Sequence, residues 1–528
     1  MSILIKKLQD YMNEGIVKDR TVLDILDTGR KKYADRVALV DAEKKVTYKE
    51  LWERAVSVAR IFRDNGIECG NHVILWFNNR IEYFDCLFGL MMVGAVPVLL
   101  LPTHRKKELY IITGFGECKA IVTYGKGLGF DYLGAAIDYV DEVDKNVKIF
   151  SYEASDRAVS LNRESTVSDF KTADISGNDT ALFLLSGGTT DIPKMIPKKH
   201  AAYYYNAEYC AKRCGTGEDS VYLAVLSVSH DYPLSCPGVL GTMLYGGKSV
   251  LSMTASFDEI SNWVRKERTT FTQIAPAVLS MWLTCMEWEE KVDFSSMRYI
   301  QVGAAKLERE LAEKTENELG VKILQGYGLG EGITCFTGIN DDREISWTTQ
   351  GTPISEYDEI RIVDENNEEV PNGVAGELTE RGPYTFEGYF KADKRNKEVF
   401  TEDGFFRTGD KALITPDGRV QILGRIREQI NRAGENIIPS EIEEYLKKCK
   451  GVYNAAVFGL PDPELGEKIC AVLTAEKQKE LTELCRELSA QGLAPFKLPD
   501  VLYYTDEMPL INVGKIDKKK LKEKLELL

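Results

Sequence analysis

The chain has 528 residues, with 67 Lys plus Arg against 82 Asp plus Glu and a net charge of −15. That length exceeds one hydrophobic core and calls for about three to four domain-sized units, while the acidic balance, with no basic cluster interleaved with aromatics, argues against nucleic acid as a partner. Eleven cysteines without a paired framework, and an N-terminus without the apolar core of a signal peptide, point to a reducing cytoplasm.

In chain order, helical periodicity over 48–65 precedes a strand at 72–76, a helix over 80–93 and a strand at 96–101. The most apolar stretch, 86–102, is interrupted by Gly94 and Pro97, which suits a buried helix running into a strand and not a membrane span. A strand at 180–185 follows, then strands at 221–225, 249–251 and 271–274 with a helix over 236–245. This alternation reads as α/β with mainly parallel strands. Cys210 and Cys214 have no second pair near them and the chain holds four histidines, so no structural zinc site is expected. Beyond Gly351 the texture changes to short strands at 359–363, 376–379 and 419–423, with Asp417-Gly418 marking a hairpin. The last hundred residues carry strands at 452–460 and 468–475 and helices around 440–448 and 477–491, enough for a small α+β domain. A lysine-rich end, 518–524, reads as an amphipathic helix with Leu521, Leu525 and Leu528 on its apolar side.

The chemistry begins at Ser186-Gly-Gly-Thr-Thr-Asp-Ile-Pro-Lys194, directly after the 180–185 strand. Gly187 and Gly188 allow a sharp turn that presents N–H groups, Ser186, Thr189 and Thr190 supply hydroxyls, and Lys194 adds a charge: the makings of a phosphate loop, in a composition that surface turns share. It is not a Walker A loop, whose nearest candidate, Gly241 to Gly247-Lys248-Ser249, has one residue too many between its glycines. Four further motifs follow in order: Gly326-Tyr-Gly-Leu-Gly-Glu-Gly332 after the apolar run 321–324, Phe406-Arg-Thr-Gly-Asp410, Gly424-Arg425 ahead of 426–434, and Gly514-Lys515-Ile-Asp517.

With these five motifs the chain resembles the superfamily of adenylate-forming enzymes, which includes acyl-CoA synthetases, firefly luciferase and the adenylation domains of nonribosomal peptide synthesis, from about residue 20 to the end. The resemblance implies a large N-terminal domain, 1–424, made of α/β subdomains plus a β-rich subdomain at about 351–424, and a small mobile α+β domain, 425–528. It implies ATP and Mg²⁺ as cofactors. Ser186, Gly187, Gly188, Thr190 and Lys194 would hold the β- and γ-phosphates. Thr189, Glu331 and Lys515 would be the catalytic residues, with Glu331 the Mg²⁺ ligand and Lys515 bridging the substrate carboxylate and the α-phosphate. Tyr327, between Gly326 and Gly328, would stack on adenine, and Asp410 would accept from the ribose hydroxyls with Arg425 helping. Arg427 falls at the hinge about which the small domain rotates between two half-reactions, although an ordinary interdomain turn would use the same residue types.

One departure is Asp191, where the loop usually carries glycine; a carboxylate fully facing the pyrophosphate would cost roughly 2–4 kcal/mol. Aspartate tolerates positive φ, so it can hold the turn with its carboxylate in solvent. The segments 196–205 and His230-Asp-Tyr-Pro-Leu-Ser-Cys-Pro-Gly238 look specifically like the stand-alone aryl-acid ligases of siderophore assembly, which activate 2,3-dihydroxybenzoate or salicylate. On that resemblance His230, Asp231, Tyr232, Cys236 and Gly303 would bind the aryl acid. Asp231 stands where those ligases have Asn, and since a carboxylate accepts hydrogen bonds and does not donate them, an ortho-amino or ortho-hydroxyl donor fits. Only 13 residues follow Lys515, so the thiol acceptor is expected in trans: the phosphopantetheine of an aryl carrier protein, or alternatively coenzyme A. A catalytically weak homologue that binds an aryl acid or its adenylate is the reading from a different class, supported by Asp191.

Overall fold

The computed structural model describes residues 5–162, 169–186, 194–288, 292–305, 307, 309–426, 430–437, 439–511, 515–516 and 518–525. Thr189, Thr190, Asp191, Gly187, Gly188, Arg427 and Leu528 lie outside them, and for Ser186, Arg425 and Lys515 only the backbone is described.

Among the described residues the large domain is built on two sheets covered by helices. Nine strands make the first, in the order Thr352–Pro353, Thr334–Phe336, Lys322–Gly328, Tyr299–Val302, Phe271–Ile274, Val221–Ala224, Lys248–Leu251, Val37–Val40 and Lys45–Thr47. Its central pairs are parallel. The second has seven strands, Lys194–Lys199, Thr180–Ser186, Val96–Leu100, His72–Trp76, Ala120–Thr123, Lys148–Ser151 and Val159–Ser160, parallel apart from the first pair. The sequence accounts for this directly: parallel strands are covered on both faces and read as continuous apolar runs, as in Val73–Trp76 and Val98–Leu100, all fully enclosed.

Helix Tyr48–Asp64 starts on a capping box in which Thr47 accepts from the Glu50 amide and Glu50 returns a bond to the Thr47 amide. Every residue of helix Ile81–Met92 is buried, as a core helix leading into strand Val96–Leu100 requires. The helix expected over 236–245 begins two residues later, at Gly238, because Cys236, at φ −119° and ψ 58°, closes the preceding turn with its amide on the Tyr232 carbonyl, and Gly238 turns at φ +48° with the Pro233 backbone against it. A separate short helix, Asp231–Ser235, precedes it.

A four-stranded antiparallel sheet, Glu359–Val363, Gly376–Arg381, Phe406–Ile414 and Val420–Arg425, forms the third layer, its last hairpin turning at Gly418 with φ +84°. Thr352–Pro353 still belongs to the nine-stranded sheet, so this sheet begins beyond the change of texture at Gly351. The small domain pairs Glu435–Ile437, Ile430–Arg432, Gly466–Ala475 and Val452–Asp462, with Val501–Tyr504 beside Gly466–Ala475. Alternation along these strands divides its core: Ala455, Val457, Ile469 and Ala471 face helices Pro439–Lys448 and Leu481–Ala490, whereas Phe458, Cys470 and Val472 face Leu521 of helix Lys518–Leu525.

Candidate functional site

A cavity of about 920 Å³ opens where the three sheets of the large domain meet the small domain, lined by Asp231, Cys236, Tyr327, Glu331 and Lys194 from one side and by Asn431, Gly434 and Glu435 from the other. Strands Thr180–Ser186 and Lys194–Lys199 are antiparallel, and Ser186 faces Lys194 across the pair, so the phosphate-loop motif is the connection of a hairpin whose two ends are described. Lys194 is half-buried, with its ammonium 5.0 Å from the ring centre of Tyr389. The Tyr389 hydroxyl donates to Glu331 Oε1 at 2.7 Å. One tyrosine therefore ties the lysine of the first motif to the glutamate of the second.

Glu331 sits on a tight turn after strand Lys322–Gly328, closed by the Leu329 amide to the Ile333 carbonyl and the Gly332 amide to the Leu329 carbonyl. Lys198, 2% exposed, donates to the carbonyls of Gly330 at 2.9 Å and Tyr384 at 3.4 Å, holding this turn from behind. Gly332 lies against the Glu380 carboxylate, where a side chain on it would collide with Oε1. Burial, foremost, pushes Glu380 up to about 8 and its neighbour Asp358 up to about 7. Tyr327 donates to Asp410 Oδ2 at 2.6 Å, joining the nine-stranded sheet to the third layer; Asp410 is 2% exposed, at the cavity edge behind Gly409. Gly326 passes under the Phe336 ring, which a Cβ would meet at 2.9 Å, and a Cβ on Gly328 would come within 3.3 Å of the Ile333 carbonyl.

The expected aryl-acid residues converge on one end. Asp231 opens helix Asp231–Ser235, and one turn on Ser235 Oγ donates back to its Oδ1 at 2.9 Å. Buried Asn206, from helix His200–Arg213, donates to Ser235 Oγ at 3.0 Å and lies 3.4 Å from the Cys236 thiol. Tyr203, on the same helix, is fully buried; burial first and the Asp231 charge next hold its phenol well above the ordinary range. Tyr232 packs its ring on Gly303, where a Cβ would come within 3.1 Å of it, and donates to the Gln301 carbonyl at 3.1 Å. Gly303 is buried behind that ring. The result is a slot with one carboxylate acceptor, a thiol and an aromatic wall, suited to a flat ring carrying a hydrogen-bond donor.

His230 faces the small domain, its Nε2 3.6 Å from Glu435. Burial raises Glu435, but the approach of His230, with Lys497 further off, outweighs it and leaves the carboxyl below its usual value. Asn431 Nδ2 donates to the Ala304 carbonyl at 3.3 Å, and Gly434, at φ +87°, comes so close to Ala304 that a Cβ would sit 3.2 Å from its methyl. His104, buried on the same side, accepts from the Leu101 amide and is pushed by burial to about 4, so it is neutral at ordinary pH.

The sequence marks no role for Asn206, Ser235, Lys198 or Tyr389, although Lys198 and Ser235 lie inside the segments 196–205 and 230–238. A lone Asn on an otherwise Tyr/Ala helix face is the one legible signal for Asn206, and nothing marks Tyr389 until the chain is folded. For a magnesium ion held with ATP, the fit rests on Glu331: Mg²⁺ takes one or two carboxylates and completes its shell with nucleotide oxygens and water. Among the described residues there is no group of three or more His, Cys, Asp or Glu that would form an all-protein cage.

The AMP-binding enzyme model matches residues 26–390, and the AMP-binding enzyme C-terminal domain model matches 441–515. The chain is 35% identical over 516 residues to a 2,3-dihydroxybenzoate-AMP ligase of Bacillus subtilis, covering 98% of this chain and 95% of that one. It is 36% identical over 529 residues to a salicyl-AMP ligase / salicyl-S-ArCP synthetase of Mycobacterium tuberculosis, covering 98% and 92%. The apo structure of Mycobacterium smegmatis MbtA superimposes with a TM-score of 0.74 at 35% identity, over 98% of this chain and 97% of that one. Among the described residues no helix is long and apolar enough to cross a membrane.

Proposed function

Because the chain belongs to the family of AMP-binding enzymes, we propose that it is an ATP-dependent aryl-acid ligase, which forms an aryl-adenylate from an acid of the salicylate, anthranilate or 2,3-dihydroxybenzoate type and passes the acyl group to a phosphopantetheine thiol. The acceptor is an aryl carrier protein, and the activity belongs to the assembly of aryl-capped siderophores or related nonribosomal products. The relatives with these printed activities, matched over nearly the whole chain, support the reading.

In the first step a carboxylate oxygen of the acid bonds to the α-phosphorus of ATP while the bond to pyrophosphate breaks. Both partners are anions, so the barrier falls only where charge is neutralised and the two are held in line. Residues 186–194 cradle the terminal phosphates. Glu331 would hold Mg²⁺, which when bound would supply neutralising charge there. Tyr389 fixes Glu331 in direction, and Lys198 fixes the turn that carries it. Tyr327, Asp410 and Arg425 seat the nucleoside, and Lys515 meets the charge that develops between carboxylate and α-phosphate. Asp231, aimed by Ser235, accepts from the ortho donor, with Cys236, Tyr232 and Gly303 shaping the slot and His230 at its mouth. In the second step the thiol sulfur, its proton released to solvent, bonds to the acyl carbon and AMP leaves, its departing oxygen keeping the electron pair.

The observation that carries this reading is the shared cavity: a slot ending on the Asp231 carboxylate opens directly onto the Tyr327–Glu331 turn and Lys194. The test is pyrophosphate release from ATP with a panel of aryl acids, followed by thioester formation on carrier protein and on coenzyme A. Release that depends on an ortho-substituted aryl acid is expected. Ligand binding with no release from any acid would leave a binding protein instead.

A further inference from the structure

The small domain is fastened to the large one at a point about which motifs say nothing. Lys497, in the short turn Pro495–Lys497, extends its ammonium to Glu108 Oε1 at 2.7 Å and to both oxygens of Glu441 at 2.9 and 3.1 Å. Lys107 completes the cluster, 3.2 Å from Glu441. Lys497, Glu108 and Glu441 are 8%, 6% and 9% exposed.

Both acids are set by local structure. Glu108 lies in the first turn of helix Lys106–Phe115, where its Oε2 accepts from the Arg105 amide and leaves Oε1 for the lysine. Glu441 lies in the first turn of helix Pro439–Lys448. Burial alone would lower Lys497 and raise Glu108, yet their mutual charges reverse both, so the pair stays ionised.

Two lysines balance two glutamates across the domain boundary. Ions taken out of water gain little net stability from pairing, but losing one partner is severe, because it strands the others. Such a contact suits a joint that must form and come apart, since its charges recover their hydration on opening, whereas an apolar seam would stay shut. We propose that Lys497 is a positioning residue for thioester formation: through Glu108 it holds the small domain with Ala433–Glu435 against the cavity. This rests on the two-step reading above. Lys515 precedes helix Lys518–Leu525, which packs on the opposite face of the small-domain sheet from Pro439–Lys448. The orientation clamped by Lys497 serves the second step, and adenylation by Lys515 uses another.

The test measures both steps in Lys497→Met, Lys497→Glu and the conservative Lys497→Arg, which keeps a cation for Glu108 and Glu441. Aryl-acid-dependent ATP–pyrophosphate exchange reads the first step, and transfer from synthetic aryl-adenylate to pantetheine reads the second. Exchange should stay within about twofold of the parent. Transfer kcat should fall at least about tenfold in Lys497→Met and Lys497→Glu and stay within about threefold of the parent in Lys497→Arg. Unchanged transfer, equal loss of both steps, or an equal loss in all three variants overturns the proposal. Solution scattering reads the joint without turnover: the radius of gyration should rise in Lys497→Glu and stay at the parent value in Lys497→Arg. A parent protein that catalyses neither step would defeat the ligase reading, while scattering would still decide the clamp.

Discussion

Ser235 Oγ donates to Asp231 Oδ1 at 2.9 Å across one helical turn, fixing a carboxylate that lines the cavity. The bond commits Asp231 to accepting. An ortho-amino group brings two N–H donors to it and an ortho-hydroxyl brings one, so anthranilate-type acids should compete well. In Asp231→Asn the same serine would hold the amide oxygen and turn the NH2 toward the ring. The kcat/KM ratio should then swing toward salicylate by about 1–3 kcal/mol, the worth of one buried hydrogen bond. Cys236→Ser, beside Asn206, should improve 2,3-dihydroxybenzoate. A parent enzyme preferring 2,3-dihydroxybenzoate over both other acids by more than about tenfold would show that Asp231 does not address the ring.

Lys515→Ala separates the two steps from the other direction. A charge that meets mainly the transition state of adenylation is worth about 3–4 kcal/mol. Pyrophosphate exchange should fall about a hundredfold to a thousandfold while transfer from supplied aryl-adenylate continues. Equal loss in both assays would reject this role for the lysine.

Lys198 is buried with its ammonium on two carbonyls, and one of them belongs to the residue before Glu331. Lys198→Met keeps the stem but leaves those carbonyls without a donor, at a cost of about 1–3 kcal/mol in the turn. KM for MgATP should rise about tenfold while KM for the aryl acid stays within about twofold. Steady-state titration of each substrate at saturating levels of the other checks this, and a parallel rise in both constants would mean a general loss of the fold.

Glu380 offers a pH test. Its carboxyl is raised to about 8 by burial, so the folded state holds a proton that the unfolded chain gives up near pH 4.5. Its contribution is therefore fully present below that value and is lost as pH rises through about 8. Glu380→Gln removes the titration but keeps an oxygen for the Thr385 hydroxyl. Between pH 6 and pH 9 the variant should gain on the order of 2–3 kcal/mol over the parent. Thermal melts across that range would show the gap widening; a constant gap would mean that Glu380 does not titrate between pH 6 and pH 9.

How much was legible in the sequence follows the range of the interactions involved. Phosphate loops, glycine-bounded turns and strand–helix alternation are local: the strands at 72–76 and 271–274 and the turn at 417–418 follow from hydrophobic period and glycine placement over a few residues. Order along the chain then identified the family, because five such motifs constrain one another. Tertiary structure alone decided which atoms of those motifs are aimed. Asp231 could be read as an acceptor from its chemistry, but only folding brings Asn206 behind Ser235 to set the direction. Glu331 was marked by its glycines, while Tyr389 and Lys198, which hold it, come from distant segments, and nothing local ties either of them to Glu331. The Lys497–Glu108 contact joins residues 389 apart in the chain; each alone reads as a solvated surface charge, and they lose water and find each other only when two separately folded units dock.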